Sequence, residues 1–252
     1  MQFYDATTQQ GICQEIDRLC DTSDTTYSRL AKTARVNQAL EEVVSWIITA
    51  DGTWQFDDKN FTTLPRGTAN LSEGVAQYSF ASDYLDIDAV EVLDTSGRWH
   101  KLKPLDPQVL GDRSWDEYFN NTSSANQKGF PEYYDKNADG IVLAPAPTST
   151  ALTLTNGLRV TFQRTGSLFT ATSATTDDST QPGFSSPFHV ILAYMAAIPY
   201  CTQYHPERVS AYLAKVGNTV PPSGLKKGLL EFYARRDKDQ RKVMTMKPIR
   251  FI

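Results

Sequence analysis

The sequence predicts an α+β protein: a helical bundle body built from both ends of the chain, an inserted antiparallel β-rich subdomain, and an extended C-terminal arm. Three observations predict it. Apolar residues recur at helical offsets before residue 52 and again after residue 187. Between those stretches, short alternating or β-branched runs are separated by turn-forming residues. The last residues form no helix face and contain Pro248. The expected bounds are 1–52 and 184–240 for the body, 53–183 for the insertion and 241–252 for the arm.

Taken in order, Ile12, Cys13, Ile16, Leu19 and Cys20 share one helical face, with Thr7 or Thr8 as the expected cap. A polar turn at 21–26 leads to a long helix over about 27–50, striped by Val36, Leu40, Val43, Val44, Ile47 and Ile48, which Asp51-Gly52 stops. Strands are expected at 75–80 and 84–94. In the second, the apolar parity switches between Leu85/Ile87 and Val90/Val92, the mark of a β-bulge. Thr95-Ser96-Gly97 turns the chain back through 98–102. Asp106-Pro107 reads as the start of a short helix through Trp115 and Phe119.

Further strands are expected at 132–134, 141–144, 151–155 and 158–164, the last two joined by Asn156-Gly157 as a hairpin. Thr165 to Pro182 is a linker in which nine of 18 residues are Ser or Thr, long enough to be functional or disordered. Helices resume with an apolar, buried one over 188–203. A one-faced helix over 206–216 (Val209, Tyr212, Leu213, Val216) follows, and the last runs from Leu225 to about Gln240.

Composition narrows the function. At 252 residues the chain can bury a sizeable core without staples. Cys13, Cys20 and Cys201 include no CxxC pair, which excludes a disulfide scaffold or zinc ribbon and points to synthesis in a reducing cytoplasm. A net charge of −4 argues against a general nucleic-acid binder. The start lacks the basic and apolar regions of a signal peptide, and no run reaches membrane-span length, so no membrane association is expected. The mean charge hides an asymmetry. Residues 225–252 carry nine Lys/Arg against three Asp/Glu, whereas residues 1–224 carry a net −10.

No catalytic constellation stands out, and no cofactor is expected: nucleophile elbow, phosphate loop, dinucleotide fingerprint and His-Glu-x-x-His are all missing. His100, His189 and His205 have no ligand partner at useful spacing, and His189 reads as a packed or capping histidine. Asp86 and Asp88 share a strand face as a carboxylate pair, or simply as a solvated face. Asp135, Asn137, Asp139 and Gly140 match the first half of a calcium loop. The twelfth position is Ala146 rather than Glu, and the same residues suit a tight hairpin turn. A calcium-assisted module for a surface glycan or receptor, using Asp135, Asn137 and Asp139, is therefore the alternative function. The C-terminus is the main candidate for partner binding. Arg235, Arg236, Arg241 and Lys242 form a basic cluster ahead of Met244, Met246, Lys247, Pro248, Ile249, Arg250, Phe251 and Ile252, an apolar-tipped segment suited to docking on a partner.

Three stretches together resemble the head-to-tail adaptor (connector) proteins of tailed bacteriophages. These are the opening helix pair with its long apolar member at 35–50, the passage Phe130-Pro-Glu-Tyr-Tyr to Gly140-Ile-Val-Leu-Ala-Pro-Ala-Pro, and Pro182-Gly-Phe through His189 into Leu192-Ala-Tyr-Met-Ala-Ala. The resemblance spans most of residues 8–216. It implies a structural virion protein rather than an enzyme, standing in the phage neck as one copy of a twelve-membered ring. It further implies that the ring docks on the portal protein by its C-terminal segments and meets a downstream neck or tail protein. Packaged DNA would pass through the channel without sequence-specific binding. Expected as well is that the Ser/Thr-rich linker orders only on assembly.

Overall fold

The computed structural model describes residues 1–50, 63–79, 84–105, 128–137, 140–170, 179–218 and 221–240, with the side chains of 84, 85 and 236–240 excepted. The fold is α+β, and the chain divides into two compact units: Met1–Thr62 with Gly166–Ile252, and Thr63–Thr165.

The first unit is helical. Helix α1 (Ile12–Cys20) buries Ile12, Cys13, Ile16 and Cys20 on one face. Its N-cap is Gly11, with extended backbone and no side-chain cap, so the expected Thr7 or Thr8 cap is wrong. Both threonine amides donate instead to the Asp5 carboxylate, in a turn that precedes the helix. Helix α2 (Arg29–Ala50) is about 33 Å long at 1.5 Å per residue and buries Val36, Leu40, Val43, Val44 and Ile47. Helix α3 (Val190–Tyr204) carries Ile191, Leu192, Ala193, Ala196, Ala197 and Cys201 into the core and packs against α1 and α2. Helix α4 (Pro206–Val216) packs on α3, and α5 (Gly224–Gln240) packs on α2 and α4. In α4, Val209, Tyr212 and Val216 meet the core, but Leu213 is half exposed, one residue round the helix from the face that packs.

The described ends of the Ser/Thr-rich linker are docked on this unit in the single chain. Phe169 is buried and stacked on Phe3 at 4.6 Å, and the Asn37 amide bonds both the N–H and the carbonyl of Phe169 at 2.9 Å. The Phe3 amide donates to the Thr180 carbonyl at 2.8 Å. For residues 166–170 and 179–182 this overturns the expectation of order only on assembly, because one aromatic and one amide suffice to anchor the segment. Residues 171–178 lie outside the described residues.

The second unit contains β1 (Arg66–Ala69), β2 (Gln77–Ser79), β3 (Tyr84–Leu93), β4 (Trp99–Lys101), β5 (Lys103–Pro104), β6 (Lys128–Gly129), β7 (Tyr133–Asn137), β8 (Gly140–Ala144), β9 (Ala146–Pro147) and β10 (Leu158–Arg164). They form sheets in the orders β1-β10-β3-β4 and β2-β8-β7-β5, plus the pair β6-β9. Val90, Val92, Leu102, Tyr134, Ile141, Leu143, Leu152, Leu158 and Val160 make its core. The bulge falls where the parity switch puts it: Thr161 faces Ala89 and Phe162 faces Ile87, leaving Asp88 unpaired in the ladder. Gly140 is required at the start of β8, since a side chain there would run into the Tyr78 carbonyl.

Two expectations fail in this unit. The sheets are not purely antiparallel, because β5 runs parallel to β7 and β6 parallel to β9. The long intervening chain supplies the crossovers that parallel pairing needs. The stretch 151–155 is not a strand, and Asn156-Gly157 does not close a hairpin. β10 pairs with β1 and β3, while Leu152 makes a single bridge to Asp94. Asn156 does turn, at φ 51°, but the backbone around it bonds to Leu71 and Leu93 rather than to β10. Alternation marks a buried face, not the identity of the partner. The expected helix from Asp106 and the stop at Asp51-Gly52 lie outside the described residues.

Candidate functional site

The C-terminal candidate is built on α5. Gly217, at φ 98°, ends α4, and Gly224 packs so closely on the Gly217 backbone that neither position has room for a side chain. From that tight turn, Lys226, Leu229 and Tyr233 share one buried face at helical spacing. The Lys226 ammonium lies 3.6 Å from the centre of the Trp46 ring, and burial holds its pKa below the ordinary lysine value. The Tyr233 hydroxyl accepts the Ser185 N–H at 3.1 Å. Phe232, half exposed, lies 5.7 Å from Phe188. On the outer side, Lys227 pairs with Glu231 at 3.9 Å and Arg235 is exposed. The first half of α5 is thus fixed to the helical unit while Arg235 faces solvent. Arg236 sits on the same helix, its side chain outside those described. Arg241, Lys242, Met244, Met246, Lys247, Pro248, Ile249, Arg250, Phe251 and Ile252 all lie outside the described residues.

A second charged cluster escaped the sequence reading. Lys32 is completely buried, and its ammonium donates to Asp17 at 2.7 Å and Asp24 at 2.8 Å. Arg29 pairs with Asp24 at 3.0 Å, and its guanidinium carbon lies 3.4 Å from the centre of the Tyr4 ring. Burial raises the Asp17 pKa and outweighs the Lys32 ammonium. Burial also works on Asp24, but Lys32 and Arg29 prevail and lower it. A cleft of about 400 Å³ opens beside the cluster, lined by Tyr4, Gln14, Asp17 and Asp24 among others. The signal was legible: Arg29 and Lys32 are in phase with Val36, Leu40 and Val43 on the apolar stripe of α2. Chemically the cluster ties α1, the turn after it and α2 together.

The remaining candidates are structural. His189 is 1% exposed. Its Nε2 lies 2.7 Å from the Phe184 carbonyl, so Nε2 carries the proton and Nδ1 accepts from the Met1 ammonium at 2.7 Å. Burial lowers its pKa below 6.5 and keeps it neutral. His100 bonds Asp94 at 2.7 Å on the surface, and His205 lies 3.5 Å from Glu207. Asp86, exposed, takes a 2.8 Å bond from Lys136, whereas Asp88 sits in the bulge near the Gln163 amide. Both carboxylates stay exposed on the strand face that their spacing predicts, as a solvated face. Asn137 pairs with Gly140 across the antiparallel strands β7 and β8, so Asp135 and Asn137 are ladder residues. Asp139 lies outside the described residues. No helix among the described residues is long and apolar enough to cross a membrane.

Comparison with known proteins finds a family model described as SU10 adaptor protein matching residues 7–221. The match takes in all of the β unit and the helical unit as far as the turn before α5. No curated protein matches the chain.

Proposed function

Because the chain belongs to the SU10 adaptor protein family, a phage head-to-tail adaptor family, we propose that it is a structural component of the phage neck that docks on the portal protein and connects the head to the tail. The family is a structural one and not an enzyme class. The observation that carries the reading is the breadth of the match, which runs through both compact units. Copies of the chain form a ring, of twelve members on the family pattern. A downstream neck or tail protein binds the far side, and packaged DNA passes through the centre.

Charge supports this arrangement. A body at net −10 over residues 1–224 does not grip a polyanion, because phosphate affinity comes from Lys and Arg. The basic, apolar-tipped end at 225–252 supplies steering and anchor residues for a protein partner. Arg235 stands on the outer side of α5, whose first half is fixed by Leu229 and Tyr233, so the docking segment has a firm root.

The test is deletion of Lys247 to Ile252. The truncated chain keeps the thermal melt of the full chain but no longer attaches to purified portal rings in electron micrographs. Normal attachment by the truncated chain overturns portal docking through the arm.

A further inference from the structure

Cys20 and Cys201 are 181 residues apart in sequence, yet their sulfurs lie 3.7 Å apart in the core of the helical unit. Both side chains are completely buried. Cys20 is the last residue of α1, and Cys201 lies near the C-terminal end of α3, one turn beyond Ala197, whose carbonyl is 3.9 Å from the Cys20 sulfur. Neither thiol has a role in the docking reading. Bonding requires the sulfurs to close to about 2.05 Å, a movement that rotation of the two cysteine side chains with a small shift at the end of α1 can supply.

We propose that Cys20 and Cys201 form a modification site, an intramolecular disulfide that staples α1 to α3 when the chain meets an oxidising disulfide such as oxidised glutathione. One cysteine thiolate attacks oxidised glutathione, releasing one glutathione thiol and leaving a mixed disulfide. The second cysteine thiolate displaces the other glutathione. The two protein thiols lose two protons and two electrons, and one oxidised glutathione becomes two glutathione thiols. A reducing compartment leaves the pair open, and an oxidising one closes it. Burial holds the Cys20 thiol far above its ordinary pKa, so the reaction proceeds through transient opening of the last turn of α1 and is slow in the native state. Cys13 is also buried, and burial pushes its thiol up to about 12. It belongs to the same helix but lies two turns away from Cys20.

The full-length chain is incubated with oxidised glutathione in native buffer, well below its melting transition, and digested after alkylation without reduction. The expected product is a Cys20–Cys201 linked peptide pair. Cys201→Ser abolishes it and Cys13→Ser retains it. The oxidised chain melts about 5–10 °C higher than the reduced one, since the bond closes a very long loop. Free thiols after prolonged incubation, glutathione adducts without the linked pair, a link through Cys13, or a link that forms only in denaturant would each overturn the proposal. So would a lower melting temperature on oxidation.

Discussion

In the helical unit a lysine is sealed between two aspartates, a neutral histidine is held by a carbonyl and an ammonium, and a second lysine lies on a tryptophan face. In the β unit the ion pairs among the described residues, Lys136–Asp86, Arg159–Glu91 and His100–Asp94, all keep contact with solvent. The units differ because their backbones solve the burial problem differently. Strand ladders satisfy their own N–H and C=O groups and turn alternate side chains outward, so a sheet can fill its core with Val, Leu and Ile. Arg164, which donates to the Thr63 carbonyl at 2.8 Å, is a buried charge in that unit. Helices leave their ends and connecting turns unsatisfied, and in this protein long polar side chains reach into those places. The lesson is that both units are built on apolar cores, and the helical unit in addition seals a few charged contacts inside its core, whereas the described ion pairs of the β unit stay at the surface.

The sharpest way to break that contrast is Lys32→Met. Similar volume is kept, but Asp17 and Asp24 lose their buried counter-charge. Removing one partner of a buried pair costs about 3–5 kcal/mol, and the partial exposure of both aspartates brings the expected loss to about 3 kcal/mol. Denaturant unfolding reads it, and a loss under ~0.5 kcal/mol would show that the cluster does not hold the helical unit.

His189 gives the next largest effect, and its sign follows from linkage. Its folded-state pKa lies below 6.5, so below pH 6.5 the unfolded chain takes up a proton that the folded chain refuses. Stability therefore falls as pH drops from 6.5 towards the lowered value, by at most ~1.4 kcal/mol per pH unit. Asp17 works the other way: with its pKa raised by burial, it binds a proton more readily when folded. His189→Gln is expected to flatten the stability profile between pH 6.5 and 5. An unchanged slope in thermal melts across that range would refute the assignment.

Arg159→Met tests the β side of the comparison. Arg159 bonds Glu91 at 2.6 Å and lies 4.1 Å from the centre of the Trp99 ring, with about a quarter of its side chain exposed. Such a pair with a ring contact is worth about 1 kcal/mol or less. A loss near that of Lys32→Met would erase the distinction between the two units.

Much of this was legible in the sequence, for physical reasons that can be traced to particular residues. The stripe from Val36 to Ile47 names the buried side of α2, because a 3.6-residue period leaves only one face to bury. The parity switch between Ile87 and Val90 locates the bulge, because an inserted residue is what reverses the facing of a strand. Where the reading failed, the missing information was spatial. Leu152 and Leu154 alternate like a strand, but β10 had better partners in β1 and β3. Thr8 is a good cap residue that lies one turn too early, beside Asp5. The basic residues of the terminal helix were visible in order, but only the structure separates Lys226, turned inward onto Trp46, from Arg235, turned outward.

By itself, then, the sequence determined the fold class, the split charge of −10 and +6 and most element positions, since periodicity, turn residues and net charge are local properties of the chain. The tertiary structure alone decided which elements pair and which charged groups are buried. It also decided that Cys20 and Cys201 meet. Each of those depends on residues far apart in sequence being brought within a few ångströms, and no local pattern records that.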